Sequence, residues 1–232
     1  MGRAVETTEY AASILIADDH PLFRGALRQT VSNLLPTAVI TEAATLDDTT
    51  RALHDNGDID LLLLDLTMPG TRGYSGLTFL RAQFPSVPII IVSGNEEPGV
   101  MRRCIDFGAS GYIPKTLDTE TMGVAIETVL GGGHWTPPEV DLVTPADRET
   151  SDLLRRLGSL TPQQMRVLMM LSEGLLNKQI AYELSVSEAT VKAHVSAILT
   201  KLGVESRTQA VIAAARIETG QWQAQGGAGG GA

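Results

Sequence analysis

The first half of the sequence alternates five short apolar runs with five amphipathic stretches, and this alternation constrains the fold more than any other feature. Several runs are apolar without a break, as in strands buried on both faces of a parallel sheet. The pattern predicts an α/β doubly wound fold with a five-stranded parallel sheet. The predicted strands are ILIA (14–17), AVIT (38–41), LLLLD (61–65), PIIIVS (88–93) and GYIPK (111–115). The predicted helices lie near 22–34, 47–56, 76–83, 97–107 and 118–130.

Polar side chains end four of these five runs. The first run is followed by Asp18 and Asp19, the third ends in Asp65, the fourth in Ser93 and the fifth in Lys115. Considered by itself, Asp65 has an ordinary explanation, because an aspartate often accepts a hydrogen bond from the backbone of its own turn. Ligands of a doubly wound sheet, however, bind beyond the carboxyl ends of its strands. Three carboxylates, a hydroxyl and an ammonium at one edge therefore indicate a functional site.

This acidic edge has the composition of a phosphoryl-transfer site. Crowded carboxylates repel one another, and a hard divalent cation such as Mg²⁺ relieves the repulsion. An aspartate beside such a metal can attack a phosphoryl group and carry it as an acyl phosphate. The transferred group spreads negative charge over its oxygens, which suits the ammonium of Lys115 and the hydroxyl of Ser93. This edge therefore fits a phosphoryl-transfer site in which one aspartate is the nucleophile.

The charge of the chain changes between its two halves. Residues 1–150 contain 10 Lys/Arg and 21 Asp/Glu, whereas residues 151–220 contain 8 and 6. Between them, GGGHWTPPEVDLVTPADRETS is rich in Gly, Pro and acidic residues and reads as a linker with some helix near its end. This asymmetry indicates two domains with different partners. The predicted division is a first domain at 13–130, a linker at 131–158, a helical domain at 159–220 and a flexible Gly-rich tail at 221–232.

Capping signals predict four helices after residue 160. A Ser or Thr followed three residues later by Gln forms a capping box, and Gly ends many helices. A short second helix (178–184), a three-residue turn and a longer third helix match the helix-turn-helix arrangement. This half is therefore predicted as an all-α four-helix helix-turn-helix domain. The start signals are Thr161 with Pro162 and Gln164, Asn177, Ser187, and Ser206 with Gln209; the end signals are Gly174 and Gly203.

The third of these helices has one apolar stripe and, opposite it, a face of small residues. A small face lets the helix backbone approach base edges, while basic side chains reach phosphates or guanine. A solvated surface helix shows a similar face, so the helix-turn-helix context favours the DNA interpretation. The stripe holds Val191, Val195, Ile198, Leu199 and Leu202; the opposite face holds Ala189, Ala193, Ser196, Ala197 and Thr200, flanked by Lys192 and His194.

The segments ILIADDHP, LLLLDLTMPG, IIIVSG and GYIPKT resemble the site segments of response-regulator receiver domains, over about residues 13–130. The resemblance implies that Asp65 accepts a phosphoryl group from a partner histidine kinase and that Mg²⁺ assists. It also implies that the aromatic Tyr112 changes rotamer on activation, although an ordinary half-buried aromatic is the alternative. The further implied roles are metal binding by Asp18, Asp19, Asp65 and the backbone carbonyl of Thr67, and phosphoryl contacts by Ser93 and Lys115.

Residues 159–213 resemble the NarL/LuxR-type DNA-binding domain, and NKQIA and TVKAH are the most specific pieces. The fourth helix is then a dimer contact. His194 is either a phosphate contact or a packed helix residue. Because Ser196 stands where these domains often carry a basic residue, we expect modest base readout and salt dependence. The implied DNA contacts are Lys192, Ala193 and Ser196 in the major groove and Lys178 on phosphate.

These resemblances together imply a two-component response regulator that controls transcription and is not an enzyme. Expected partners are a histidine kinase, promoter DNA and, on activation, a second copy of the chain; contact with RNA polymerase stays open. Haloacid-dehalogenase-type phosphatases need a second aspartate two residues after the nucleophile, and Thr67 stands there. The alternative is a transcription factor whose receiver works without phosphorylation, which the intact acidic set argues against. A ligand-sensing quorum regulator would share the DNA domain but lack the acidic strand ends.

Location is also predicted from the sequence. No apolar run approaches the ~20 residues that cross a bilayer, and the start MGRAVETTEY is polar. The single cysteine, Cys104, excludes an internal disulfide. We therefore expect a cytoplasmic protein without a membrane partner.

Overall fold

The structure is a computed structural model that describes residues 11–71, 73–140 and 148–219. The chain divides into two compact units. The first unit contains a parallel β-sheet with three helices, and the second contains seven helices among the described residues.

The sheet of the first unit confirms the predicted fold class. Its five strands are all parallel and follow the order β2-β1-β3-β4-β5, so the chain reverses direction across the sheet between β1 and β3. That reversal is the topological switch point, where doubly wound sheets bind their ligands. The strands are β1 Ser13–Ala17, β2 Val39–Ala43, β3 Leu61–Leu64, β4 Ile89–Ser93 and β5 Gly111–Pro114. The helices of this unit are α1 Pro21–Leu34, α2 Leu46–Asp55 and α5 Thr119–Leu130.

The central strands are buried on both faces, as their unbroken apolar runs predict. All four leucines of β3 and the whole of β4 are buried. One face packs against α1 and α5, where strand and helix side chains form a single cluster. Burial of this apolar surface stabilises the unit, at roughly 25 cal/mol per Å² removed from water. The cluster includes Ile14, Ile16, Leu61, Leu63, Ile90, Val92 and Ile113 from the strands, Leu27 and Val31 from α1, and Ile126 and Val129 from α5.

The outer edge of β5 is hydrogen-bonded by the chain that follows α5. Trp135 forms an isolated parallel bridge with Gly111. The backbone N–H of Tyr112 donates to the carbonyl of Trp135 at 3.0 Å, and the N–H of Trp135 donates to the carbonyl of Ser110 at 3.2 Å. The first residues of the predicted linker therefore pair with the sheet edge.

The second unit contains α3, α4 and the helices that follow residue 147. The helix predicted near the end of the linker is present as α6. The helices after residue 160 confirm the four-helix prediction. The described helices of this unit are α3 Ser75–Gln83, α4 Pro98–Asp106, α6 Arg148–Gly158, α7 Pro162–Ser172, α8 Asn177–Glu183, α9 Glu188–Leu202 and α10 Arg207–Thr219. The predicted tail at 221–232 lies outside the described residues.

Among the described residues, none of the helices combines the length and apolar character that crossing a bilayer requires.

Candidate functional site

Two carboxylates lie side by side because β1 and β3 are neighbours in the sheet. Ala17 pairs in register with Leu64, so Asp18 and Asp65 both leave their strands at the same level. The backbone N–H of Asp65 donates to the carbonyl of Ala17 at 2.8 Å, which extends the pairing by one residue. Both aspartates are 1 % exposed. Burying two charges without compensation is costly, so this edge needs cationic partners.

Lys115 supplies one positive charge to this pair. It follows β5, and its backbone N–H donates to the carbonyl of Ser93 at 2.8 Å. Its Nζ donates to Asp65 Oδ2 at 3.0 Å and lies 2.7 Å from Asp18 Oδ2. Burial acts to lower the pKa of Lys115, but its interactions with the two carboxylates outweigh burial and raise it. The side chain is therefore a permanent cation at neutral pH.

The aromatic ring of Phe23 lies beside the same ammonium. Lys115 Nζ is 4.6 Å from the centre of the ring, within the range of a cation–π contact. Phe23 is on α1, two residues after the helix begins, and is half-buried. Phe23 was not among the predicted site residues, since an aromatic in an amphipathic helix indicates core packing first.

Thr67 holds the carboxylate of Asp65 from the other side. Its backbone N–H donates to Asp65 Oδ1 at 3.2 Å. Its Oγ1 lies 3.1 Å from Oδ1 and 3.2 Å from Oδ2 of the same carboxylate. Asp65 thus does bond the backbone of its own turn, and that ordinary role coexists with its place in the cluster. The side chain of Thr67 adds a contact that was not predicted.

The predicted Ser93 and Tyr112 both contact the backbone of Asn95, in the loop after β4. The Oγ of Ser93 accepts from the backbone N–H of Asn95 at 3.2 Å, and the side chain is buried at the end of β4. The hydroxyl of Tyr112 donates to the carbonyl of Asn95 at 2.6 Å. Tyr112 is 0 % exposed, so the alternative of an ordinary half-buried aromatic is wrong in its burial. Its polar end is held by this loop.

His20 also joins the acidic cluster, although it was not among the predicted site residues. Its Nδ1 lies 2.8 Å from Asp19 Oδ1, 3.4 Å from Asp18 Oδ1 and 3.8 Å from Asp65 Oδ2. The four residues offer ligand atoms that all lie within 4.8 Å of one another. The signal was present in the sequence, because His20 directly follows the two acids.

The donor set fits a divalent cation. Within the described residues, the buried Asp19 Oδ1 accepts no hydrogen bond, and Asp18 Oδ2 has the ion pair with Lys115 as its polar contact. A hard cation with oxygen ligands satisfies such atoms. Lys115 neutralises one carboxylate charge, and the cluster of three aspartates retains the rest.

The helical half confirms most of the predicted caps. Thr161 Oγ1 accepts from Gln164 N at 3.3 Å, and Gln164 Oε1 accepts from Thr161 N at 3.0 Å, which completes the capping box. At the start of α9, Ser187 Oγ accepts from Thr190 N at 3.1 Å. Glu173 follows α7 directly, and Gly174 after it has φ +86°. The glycine conformation that ends a helix is therefore present at this position.

Two predicted caps differ in detail. Asn177 is wrong as an N-cap: it is the first residue of α8, and Leu176 precedes the helix. The N–H of Leu176 donates to Gln179 Oε1 at 2.7 Å, so a glutamine caps the helix from inside instead. At α10, Ser206 Oγ accepts from Gln209 N at 3.2 Å as predicted. Gln209 Oε1, however, accepts from the N–H of Glu205 at 2.8 Å. Only half of the predicted capping box is formed.

The faces of α9 agree with the predicted stripe. The apolar side is buried at three positions, and two more are half-buried. On the opposite side, Lys192, Ala193 and Ser196 are exposed and His194 is half-buried. Lys178, on α8, is also exposed. The buried positions of the stripe are Val191, Ile198 and Leu202, and the half-buried ones are Val195 and Leu199.

The carboxyl end of α9 is held by a side chain from α6. Gly203 ends the helix in the left-handed conformation, with φ +66° and ψ 39°. The guanidinium of Arg156 donates from Nη1 to the carbonyl of Leu202 at 2.8 Å. A Cβ added to Gly203 would lie 2.6 Å from that same Nη1. The left-handed backbone therefore favours glycine at this position, and a Cβ here would displace the end of the Arg156 side chain.

Known proteins match this chain over nearly its whole length. Two families match: the response regulator receiver domain over residues 14–127 and the bacterial regulatory proteins of the luxR family over residues 158–214. The glycerol metabolism activator of Pseudomonas putida is 41% identical over 211 residues, covering 88% of this chain and 96% of that protein. The nitrate/nitrite response regulator protein NarL of Escherichia coli K12 is 34% identical over 206 residues, covering 87% and 94%.

A similar structure has also been solved. The complex of the two-component response regulator RcsB with DNA aligns with a TM-score of 0.53 at 23% identity. The alignment covers 90% of this chain and 100% of that chain. At this level of identity the match supports the fold alone.

Proposed function

The chain belongs to the response regulators that join a receiver domain to a LuxR-family DNA-binding domain, and we propose that phosphorylation of Asp65 switches it. The observation that carries this proposal is the contact set of Asp65. Its carboxylate is buried, held by Thr67, and paired with Lys115 at 3.0 Å. A nucleophile fixed beside a cation can accept a phosphoryl group, because the cation stabilises the negative charge on the transferred oxygens.

The proposed reaction is transfer from a phosphohistidine of a partner histidine kinase. A carboxylate oxygen of Asp65 attacks phosphorus, the phosphorus–nitrogen bond breaks, and the imidazole leaves with its electron pair. Lys115 neutralises charge on the transferred oxygens, and Ser93, at the end of β4, is the proposed hydroxyl partner. Thr67 orients the nucleophile through its N–H and Oγ1.

We propose Mg²⁺ as the cofactor, held by Asp18, Asp19, Asp65 and the carbonyl of Thr67. When bound, it supplies positive charge between the carboxylates and the transferred group. The buried oxygens Asp18 Oδ2 and Asp19 Oδ1, for which the described residues supply no hydrogen-bond donor of good geometry, support this assignment.

We propose that the phosphorylated protein acts as a signal and is not an intermediate of a catalytic cycle. Family members are transcription regulators, which are not enzymes. In this chain Thr67 stands two residues after the nucleophile, where a phosphatase of the haloacid dehalogenase type needs an acid. Without that acid we expect the acyl phosphate to persist long enough to be read.

We propose that Tyr112 and α9 read and deliver this signal. Tyr112 contacts the loop that carries Ser93, through the carbonyl of Asn95. The exposed face of α9 carries Ala193 and Ser196, whose small side chains allow close approach to the major groove, and Lys192, whose ammonium can reach base edges. His194 and Lys178 are the proposed phosphate contacts, since basic groups beside the recognition helix anchor it on the backbone.

The proposed assembly is a homodimer on paired half-sites, formed on activation, because two-fold symmetry matches a palindromic site. We propose a cytoplasmic regulator that binds promoter DNA, with RNA polymerase as a further partner. The proposed domains are the receiver at 13–130 and the DNA-binding domain at 159–220, joined by 131–158.

Intact mass spectrometry tests the switch. Full-length protein is incubated with Mg²⁺ and acetyl phosphate, beside Asp65→Asn and the exposed control Asp58→Asn. We expect one phosphoryl addition on the wild type and the control, absent from Asp65→Asn and lost in alkali. An addition that persists in Asp65→Asn contradicts the assignment. No addition, even with the cognate kinase, points to the alternative of a receiver that works without phosphorylation.

A further inference from the structure

We propose that His20 is a metal ligand of the acidic cluster, and that it shifts the site's preference from Mg²⁺ toward divalent transition metals. The inference rests on the proposed metal site and adds a nitrogen donor to it. Its basis is the position of the imidazole among the carboxylates, together with a helix start that does not use the side chain as a cap.

The distances match those between neighbouring ligands of one metal ion. Bonds of 2.0–2.1 Å at right angles place two adjacent ligand atoms about 3 Å apart. His20 Nδ1 is 2.8 Å from Asp19 Oδ1 and 3.4 Å from Asp18 Oδ1. Asp65 Oδ2 lies farther away, at 3.8 Å, and the ligand atoms of all four residues lie within 4.8 Å of one another.

The close contact with Asp19 involves a buried oxygen. Asp19 Oδ1 accepts no hydrogen bond of good geometry within the described chain, and His20 Nδ1 lies 2.8 Å from it, at ion-pair distance. A nitrogen and an oxygen at this separation can both bind one metal ion.

The imidazole is not used to start α1. His20 occupies the N-cap position of this helix, where Ser, Thr, Asp and Asn are preferred. Its side chain makes no capping hydrogen bond. Its backbone N–H donates to Asp18 Oδ1 at 2.7 Å, which holds the residue over the cluster. The side chain itself is 63% exposed, so a solvated ion can reach it.

The nitrogen donor changes which ion the site prefers. Three aspartates and a carbonyl suit Mg²⁺ and Mn²⁺, whereas imidazole suits the later transition metals. Replacing one bound water by the imidazole nitrogen therefore raises the affinity for Mn²⁺ modestly and for Co²⁺ strongly, and leaves the affinity for Mg²⁺ nearly unchanged. The proposed occupant is a divalent transition-metal ion that competes with Mg²⁺.

The test uses full-length protein freed of metal, at a pH of about 8, where free imidazole is neutral. Pulsed electron paramagnetic resonance of bound Mn²⁺ reports a coordinated imidazole nitrogen directly. Wild type is compared with His20→Ala, with His20→Asn, and with His134→Ala, an exposed histidine of the segment after α5. Calorimetry then gives the ratio of Co²⁺ to Mg²⁺ affinities for each protein.

We expect the imidazole nitrogen coupling in wild type and His134→Ala and its loss in both His20 variants. The Co²⁺ to Mg²⁺ ratio should fall at least about tenfold in those variants, with Mg²⁺ affinity nearly constant. Mn²⁺ binding without the nitrogen coupling, or an unchanged ratio, overturns the role of His20 and leaves the metal site standing. Absence of Mn²⁺ and Mg²⁺ binding in wild type overturns the metal site and the inference together.

Discussion

Replacing Gly203 by alanine should loosen the carboxyl end of α9 through two separate effects. The left-handed backbone costs an L-residue roughly 1–2 kcal/mol. The new Cβ would also displace the end of the Arg156 side chain, which lies 2.6 Å from its position. The displaced guanidinium loses its hydrogen bond to the carbonyl of Leu202, worth about 1 kcal/mol at an exposed site. The expected total is roughly 2–3 kcal/mol.

Hydrogen exchange of the α9 amides in the full-length protein measures this loss. A loss of about 2–3 kcal/mol corresponds to exchange about 30- to 150-fold faster, since 1.4 kcal/mol is tenfold. Arg156→Ala alone removes only the hydrogen bond, so exchange should rise about fivefold. The double variant should exchange its α9 amides at the same rate as Gly203→Ala, because both have lost the same hydrogen bond between Arg156 and Leu202. Fully additive effects, or an unchanged rate in Gly203→Ala, would refute this reasoning.

Three further predictions concern other parts of the chain. Tyr112→Phe removes the donor to the Asn95 carbonyl and should lower stability by about 1 kcal/mol in thermal unfolding. The pKa of Glu42 is lowered, chiefly by its hydrogen bond with Arg24, so that pair stabilises the fold above pH 4.5. The stability gap between wild type and Glu42→Gln should therefore close as pH falls through the lowered pKa, in urea titrations at several pH values. Lys178→Ala removes a proposed phosphate contact, so it should weaken DNA binding and reduce the salt slope by about 1 in anisotropy titrations.

The sheet could be predicted from the sequence where burial is complete. The runs at 61–65 and 88–93 are apolar throughout because β3 and β4 are covered on both faces. At β2, the predicted run 38–41 ends two residues before the strand does. This strand lies at the edge of the sheet, and its exposed glutamate, Glu42, interrupts the apolar run before the buried Ala43.

The acidic edge was predicted from strand ends, whereas its finer contacts were not. Asp18, Asp65 and Lys115 meet because parallel strands in register end at one level, and strand ends are visible in the sequence. The part played by His20 depends on a side-chain torsion at the start of α1, which no pattern of residue types determines. The contact of Phe23 with Lys115 likewise joins residues far apart in the chain.

The Asn177 error has a similar physical cause. Asparagine is among the preferred N-cap residues, and the prediction placed it there. In the structure Gln179 Oε1 already accepts the N–H of Leu176, so the helix can begin one residue earlier. Asn177 Oδ1 instead accepts from the guanidinium of Arg207, on α10. A contact between helices overrode a local preference, and only the local preference is visible in the sequence.

The bridge between Trp135 and Gly111 has a consequence for how fast Tyr112 can move. Strand β5 is paired with β4 on one side and with Trp135 on the other, so its backbone is restrained along both edges. Any motion of Tyr112 must then be a rotation of its side chain about an almost stationary backbone. Exposed side chains change rotamer in picoseconds to nanoseconds, whereas this ring is 0 % exposed. We therefore expect the proposed rotamer change of Tyr112 to be slower than that of an exposed ring, because the packing around the ring must open first.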